Sequence, residues 1–288
     1  MACRVSGLIG PWDLDRAATA LAVSGSSMFR CAHVAEPDYP GLKVFVHRPA
    51  RFGRDSPILI VMHGTKRNAL DYRTTWAPIA ERHGCLLVCP AFPKRRFPRQ
   101  LYQLGGVVDR DGLSQPRTSW TFSAIERMFD LVRDATANTS MGYHLYGHSA
   151  GGQFVHRLTL CLPDARFVAA VAANTGWYTM PSWSAAFPYG LAEVGITSEH
   201  LAHALQRRLI VLLGERDLRA DDPYLRNSSR ARQQVANRFE RGCAFYAAAI
   251  RAAANCGLPL AWEVATVPGA AHVDAEMAPA AARALFSR

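Results

Sequence analysis

The chain has no low-complexity tract and no repeat at a fixed period, which excludes solenoids, propellers and disordered linkers as its plan. No apolar run approaches the length of a membrane span. The seven cysteines (Cys3, Cys31, Cys85, Cys89, Cys161, Cys243 and Cys256) contain no CxxC pair and are odd in number, which suits free thiols in a reducing compartment better than a disulfide frame. Zinc-finger spacing and an aromatic-rich RNA-binding signature are both missing, so nucleic acid is set aside as a partner. Residues 1 to 30 lack a cationic start followed by an unbroken apolar core, because Asp13, Asp15 and Arg16 interrupt it. The expected location is cytoplasmic, with export through an upstream signal left open.

What is present is an ordinary globular composition: 288 residues, 49% hydrophobic and 19% charged. That length buries a substantial core, and nothing in it demands a second domain. The reading is one domain over residues 1–288, with about 1–40 as an N-terminal extension or first strands. The net charge is +10, and its densest basic runs are "PKRRFPR" at 93–99 and "RNSSRAR" at 226–232. A solvated face is the ordinary explanation of such runs, and attraction to an anionic lipid or polymer is the other.

Short apolar runs alternate with helical patterns, as expected of a mostly parallel sheet with helices on both faces. Strands are read at 43–49, 58–64, 85–92, 141–147, 166–176 and 208–217, with a last one within 259–272. Helices are read at 69–84 with Pro78 as a kink or division, at 119–135, at 151–162, over 228–257 as one long helix, and at 274–286. The connection from 92 to 119 reads as irregular and exposed. Residues 177–207, rich in aromatics and prolines, interrupt the alternation and read as a small cap.

Within "LYGHSAGGQF", Ser149 follows a strand and opens a helix. A bare G-x-S-x-G pattern arises by chance, but in this setting it forms a nucleophile elbow, with Gly147 and Gly151 permitting the tight turn. A serine hydroxyl is a poor nucleophile at neutral pH and needs a base, which in turn needs a group to hold its tautomer. Of ten histidines, His272 in "PGAAHVDAEM" lies between the last strand and the last helix, where a loop brings it over the serine. His148 is expected to point elsewhere, and His63, His144 and His156 to be structural. Asp217 ends "LIVLLGERD" at the mouth of a strand and is the first candidate for the acid. Asp222 and Asp221, in the same loop, stay open as alternatives. Backbone N–H groups of Ala150 and of Thr65 in "MHGTKRN" are the candidates for an oxyanion hole. Trp177 and Tyr178 are candidates for the acyl or alcohol pocket.

These stretches, with "AANTGWYTMP", "FPYGL", "LLGERD" and "VPGAAH", resemble the α/β-hydrolases, and more narrowly the bacterial poly(3-hydroxybutyrate) depolymerase-like esterases. The resemblance runs from about residue 57 to the end of the chain. It implies Ser149 as nucleophile, His272 as base, an aspartate of the "GERD" loop as third member, and Thr65 with Ala150 at the oxyanion. It also implies an α/β fold, no metal or organic cofactor, and a small-molecule or oligomeric ester as substrate. Two features depart from secreted polymer depolymerases: no evident export signal and no appended polymer-binding domain. A peptidase, thioesterase or acyltransferase on the same residues is one alternative. A catalytically silent binding protein, tethered through "PKRRFPR", is another.

Overall fold

The computed structural model describes residues 13–31 and 42–287. They divide into two compact units, one drawn from Met1–Val61 and Arg67–Tyr143, the other from Met62–Lys66 and His144–Arg288. Cys3 lies outside the described residues; Cys31, Cys85, Cys89, Cys161, Cys243 and Cys256 are free thiols. No helix among the described residues is long and apolar enough to cross a membrane.

In the first unit the elements in chain order are α1 (Leu14–Leu21), β1 (Gly25–Cys31), β2 (Leu42–Arg48), β3 (Ile58–Met62), α2 (Ala69–His83), β4 (Leu86–Ala91) and α3 (Thr121–Ala135). The strands lie in the order β1-β2-β4-β3. β1 and β2 pair antiparallel from Gly25 opposite Arg48 to Cys31 opposite Leu42, and β2 pairs antiparallel with β4. β3 pairs parallel with β4, and every side chain of its Ile-Leu-Ile-Val-Met run is buried, the pattern of a strand covered on both faces. α2 stays continuous through Pro78, which forfeits one backbone hydrogen bond without dividing the helix. It stops where Gly84 takes the left-handed conformation, φ 61°.

The sequence reading of this unit differs from the structure at two places. Of the two alternatives left open for residues 1–40, an extension or first strands, the described part contains one strand, β1, and the helix α1 before it was not read. The connection between 92 and 119 is irregular but not wholly exposed. Phe92, Phe97 and Tyr102 are buried in mutual ring contact, with centroids 4.9 Å (Phe92 to Phe97) and 5.3 Å (Phe92 to Tyr102) apart. Arg67 lies over the Tyr102 ring and donates to the Phe92 carbonyl. The basic run therefore has a buried aromatic anchor in Phe97, with Lys94, Arg95 and Arg99 exposed around it.

In the second unit come β5 (Tyr143–His148), α4 (Ala150–Cys161), β6 (Phe167–Ala173), α5 (Ser198–Leu205), β7 (Leu209–Gly214), α6 (Ser229–Arg232), α7 (Arg238–Asn255), β8 (Glu263–Val267) and α8 (Asp274–Phe286). The strand order is β5-β6-β7-β8, with β6 to β7 and β7 to β8 parallel. α4 is buried along its whole length and packs on β6; α7 and α8 pack on β7. Residues 177–197 form linked turns, and α5 after them packs on α4 and α7.

The long helix expected over 228–257 is two helices. Val235 sits at φ 71°, a conformation that a β-branched residue avoids inside a helix. The carboxamide of Gln234 is drawn onto the Tyr178 backbone, accepting from its N–H at 2.9 Å and donating to its carbonyl at 2.7 Å. Asn237 then caps α7 by accepting from the Glu240 N–H. The break makes Arg238 the first residue of α7.

Candidate active site

Every residue of the site belongs to the second unit. Ser149 stands between β5 and α4 at φ 58°, ψ −111°, a strained backbone for a residue with a side chain. Its N–H donates to the Ala173 carbonyl of β6 at 2.9 Å, and its own carbonyl accepts from Gln153 at 3.0 Å. Flanking glycines are demanded by space. A Cβ on Gly147 would fall 2.2 Å from the Gly151 carbonyl oxygen, and one on Gly151 would fall 2.1 Å from that of Met62. The same closeness brings the backbone that follows β3 against the start of α4.

His272 arrives from the loop after β8. Its Nε2 lies 2.9 Å from Ser149 Oγ and its Nδ1 2.6 Å from Asp217 Oδ2. Asp217 follows β7 and is buried, and its Oδ1 accepts from Arg238 Nη1 at 3.2 Å. The three side chains thus form one hydrogen-bonded line from hydroxyl to carboxylate. Since Asp217 offers an acceptor to Nδ1, the ring keeps its proton there and presents a lone pair on Nε2 to the hydroxyl.

Of the three aspartates left open by the sequence, Asp217 is the one bonded to His272. Asp222 instead accepts from Arg238 at 3.1 Å and from the Tyr224 N–H at 2.7 Å. Burial pushes its carboxyl up, but those two donors outweigh burial and hold it below the usual carboxylate range. Asp221 is exposed and paired with Arg219 at 3.3 Å.

No protein-family model matches the chain, and no curated protein matches it. Among solved structures it is similar to poly(aspartic acid) hydrolase-1 from Sphingomonas sp. KT-1, at 37% identity and TM-score 0.87 over 92% of this chain and 99% of that one. It is also similar to LpqC, a poly(3-hydroxybutyrate) depolymerase from Bordetella parapertussis, at 36% identity and TM-score 0.88 over 95% of this chain and 94% of that one. The chain belongs to the α/β-hydrolase family, among its depolymerase-like serine hydrolases. An S-formylglutathione hydrolase from Agrobacterium tumefaciens, 15% identical with TM-score 0.56 over 89% of this chain and 91% of that one, shares the fold alone with this hydrolase.

The remaining expected residues of the hydrolase are placed as follows. Ala150 is the first residue of α4, where a helix leaves N–H groups without intrahelical acceptors. Thr65 is half-buried in the turn after β3, beside the buried His63, whose Nδ1 lies 3.1 Å from the Gly64 carbonyl. Trp177 and Tyr178 are buried: Tyr178 stacks on Phe245 at 4.4 Å, and the guanidinium groups of Arg157 and Arg226 lie 4.1 Å and 5.2 Å from the Trp177 ring centroid. His148 does not point away. Its buried ring lies 4.7 Å from that of His272, and burial, then the charges of His272 and Arg238, push it well below the usual histidine range. His156 is held in the neutral form by burial and lies between the Gly152 carbonyl and the Thr179 N–H. Among the described residues no cluster of His, Cys, Asp and Glu could hold a metal ion.

Two further residues shape the site, and neither was singled out from the sequence. Asn174 directly follows β6 at φ 44°, in the left-handed region that asparagine tolerates. Its Oδ1 accepts from the Gly214 N–H at 2.7 Å and its Nδ2 donates to the Ala271 carbonyl at 2.9 Å. It therefore ties the end of β7 to the loop that carries His272. Arg238 is the second. Its signal in the sequence is an arginine directly after the helix-capping Asn237, where a cation is out of place.

Proposed function

We propose that this hydrolase cleaves carboxylic esters through an acyl-enzyme on Ser149, with His272 as general base and then acid and Asp217 holding the imidazole. The observation that carries this reading is the unbroken contact from Ser149 Oγ through His272 to Asp217, at 2.9 Å and 2.6 Å. Ser149 Oγ attacks the ester carbonyl as its proton passes to His272 Nε2, and the imidazolium gives that proton to the departing alcohol. Water then adds to the acyl carbonyl with His272 again taking a proton, and Ser149 is released with the free acid. The developing oxyanion is received by the Ala150 and Thr65 N–H groups, which need no reorganisation at the moment of reaction. Trp177 and Tyr178, fixed by their packing, are proposed as walls of the acyl or alcohol pocket. The substrates proposed are short or medium acyl esters and hydroxyalkanoate oligomers, a reading supported by the similarity to LpqC.

A second reading, amide cleavage in an anionic polymer, is favoured by the similarity to a poly(aspartic acid) hydrolase and by the net charge of +10. The test is turnover of p-nitrophenyl acetate and butyrate, hydroxybutyrate oligomers and poly(aspartic acid), with Ser149→Ala as control. Equal rates for wild type and Ser149→Ala on every substrate would remove the nucleophile assignment. Failure of a fluorophosphonate probe to label the native protein would favour a silent, non-catalytic hydrolase fold.

A further inference from the structure

Two independent costs fall on Arg238. It opens α7, where the helix macrodipole disfavours a cation, and it is almost completely removed from water. One turn later Arg241 is also buried, and among the described residues its guanidinium donates to the backbone carbonyls of Val235, Gly176 and Arg226. Burial, then the neighbouring charge of Arg238, push the Arg241 guanidinium downward. An arginine persists in such a place because something nearby offsets both costs.

That offset is a pair of carboxylates on one nitrogen. Arg238 Nη1 donates to Asp217 Oδ1 at 3.2 Å and to Asp222 Oδ2 at 3.1 Å. Each carboxylate is then pinned at both oxygens. Asp217 uses Oδ2 for His272, and Asp222 uses Oδ1 for the Tyr224 N–H. A continuous path runs from the Tyr224 backbone through Asp222, Arg238, Asp217 and His272 to Ser149.

We propose that Arg238 and Asp222 are a positioning pair for the catalytic line: Arg238 locks the Asp217 carboxylate in the plane that meets His272, and Asp222 shares the arginine so that Asp217 Oδ2 is left to the imidazole. The inference rests on the Ser149, His272 and Asp217 reading above. It gives Asp222 a role without making it the acid. Without Asp222, the charge of Arg238 would be spent wholly on Asp217, weakening the acceptor that stabilises an imidazolium. Without Arg238, two carboxylates would face each other and the ring, and Asp217 would be free to rotate.

The other charged or titratable groups around His272 do not duplicate this role. His148 from β5 is held neutral by burial. From α8, Asp274 accepts from the Tyr146 hydroxyl at 2.7 Å and Glu276 from the Ala271 N–H at 2.6 Å. The second charge that Asp217 meets directly is Arg238.

The experiment is the pH dependence of kcat/KM on p-nitrophenyl butyrate for wild type, Asp222→Asn, Arg238→Met and the double variant, with Ser149→Ala in parallel. The working form carries a free imidazole, so removing a nearby negative charge moves the acid limb to lower pH and removing a nearby positive charge moves it to higher pH. Asp222→Asn is expected to shift the limb down by about half a pH unit to one unit, and Arg238→Met to shift it up by a similar amount. Arg238→Met is also expected to lower kcat about tenfold with KM within about twofold. The double variant should return the limb towards wild type, a reversal that lost packing alone would not produce. Should Arg238→Met fail to fold, as far-UV circular dichroism would reveal, Asp222→Asn decides alone, because Asp222 lies at the edge of the cluster. Limbs that coincide with wild type while turnover still depends on Ser149 overturn the pair and leave the triad reading standing. Turnover unaffected by Ser149→Ala overturns the triad reading and the pair with it.

Discussion

The carboxamide of Asn174 holds the carbonyl of Ala271 at 2.9 Å, one residue ahead of His272. Through its other end, on the Gly214 N–H, the same side chain grips the strand that leads to Asp217. One amide therefore sets the relative position of His272 and Asp217 without touching either side chain.

Replacing Asn174 by glycine keeps the left-handed backbone and deletes both bonds. With one buried and one part-buried hydrogen bond lost, Asn174→Gly is expected to lose about 2 kcal/mol of stability in urea unfolding. It should also lower kcat about tenfold or more with little change in KM, because His272 and Asp217 are no longer registered to one another.

Ser149 carries the strain of a positive φ, so two inactive variants should differ in stability. Both Ser149→Ala and Ser149→Gly remove the hydroxyl, and both should lose turnover by about a thousandfold or more. The glycine variant, free of the strain, is expected to be the more stable of the two by about 1 kcal/mol in thermal melts. Equal melting temperatures would mean that the turn holds no such strain.

Gly151 has no room for a methyl group, since the Met62 carbonyl oxygen stands 2.1 Å from where its Cβ would be. Backbone cannot give way as a side-chain tip can. Gly151→Ala is expected to cost about 3 kcal/mol or more and to reduce soluble yield, checked by expression and by unfolding midpoint.

Acid should destabilise the fold earlier than carboxylate chemistry alone predicts. His148 and His156 are pushed well below the usual histidine range, by burial first, and His144, against Phe286, is pushed down to about 4 by burial and then by Arg208. Each ring is neutral in the folded state and becomes protonated in the unfolded chain once the pH drops below about 6.5. The unfolded state then binds more protons, so stability falls as pH falls. Three such groups give a slope of about 4 kcal/mol per pH unit between roughly pH 6 and 5, and little slope above pH 7. His144→Phe should remove about a third of that slope, read from unfolding curves across the range.

The chemistry-bearing turn was legible because its signals are local: a strand before Ser149, a helix after it, and glycines that backbone contact demands at 147 and 151. The order of serine, aspartate and histidine along the chain was legible for the same reason, each standing at a strand end marked by an apolar run. Arg238 and Asn174 were not, because their roles come from partners far off in sequence. The break before Arg238 hides in a stretch whose helical periodicity runs straight through, and it is made by Gln234 reaching Tyr178, 56 residues away. His148 was misjudged because neighbouring side chains on a strand point to opposite faces, yet the strand ends there and the His272 loop folds over it.

Between β6 and α5 the chain closes on itself. Leu191 donates to Ser182 at 2.8 Å, Phe187 to Ala192 at 3.1 Å and Gly190 to Ala186 at 3.2 Å, so residues 182–192 satisfy much of their backbone internally. Outward, this loop is tied by its Tyr189 hydroxyl, which lies 2.8 Å from Ser228 Oγ and accepts from Arg226 at 2.9 Å, so a graft of different length in place of 182–192 would keep its neighbours in register only if it carried a tyrosine at that point.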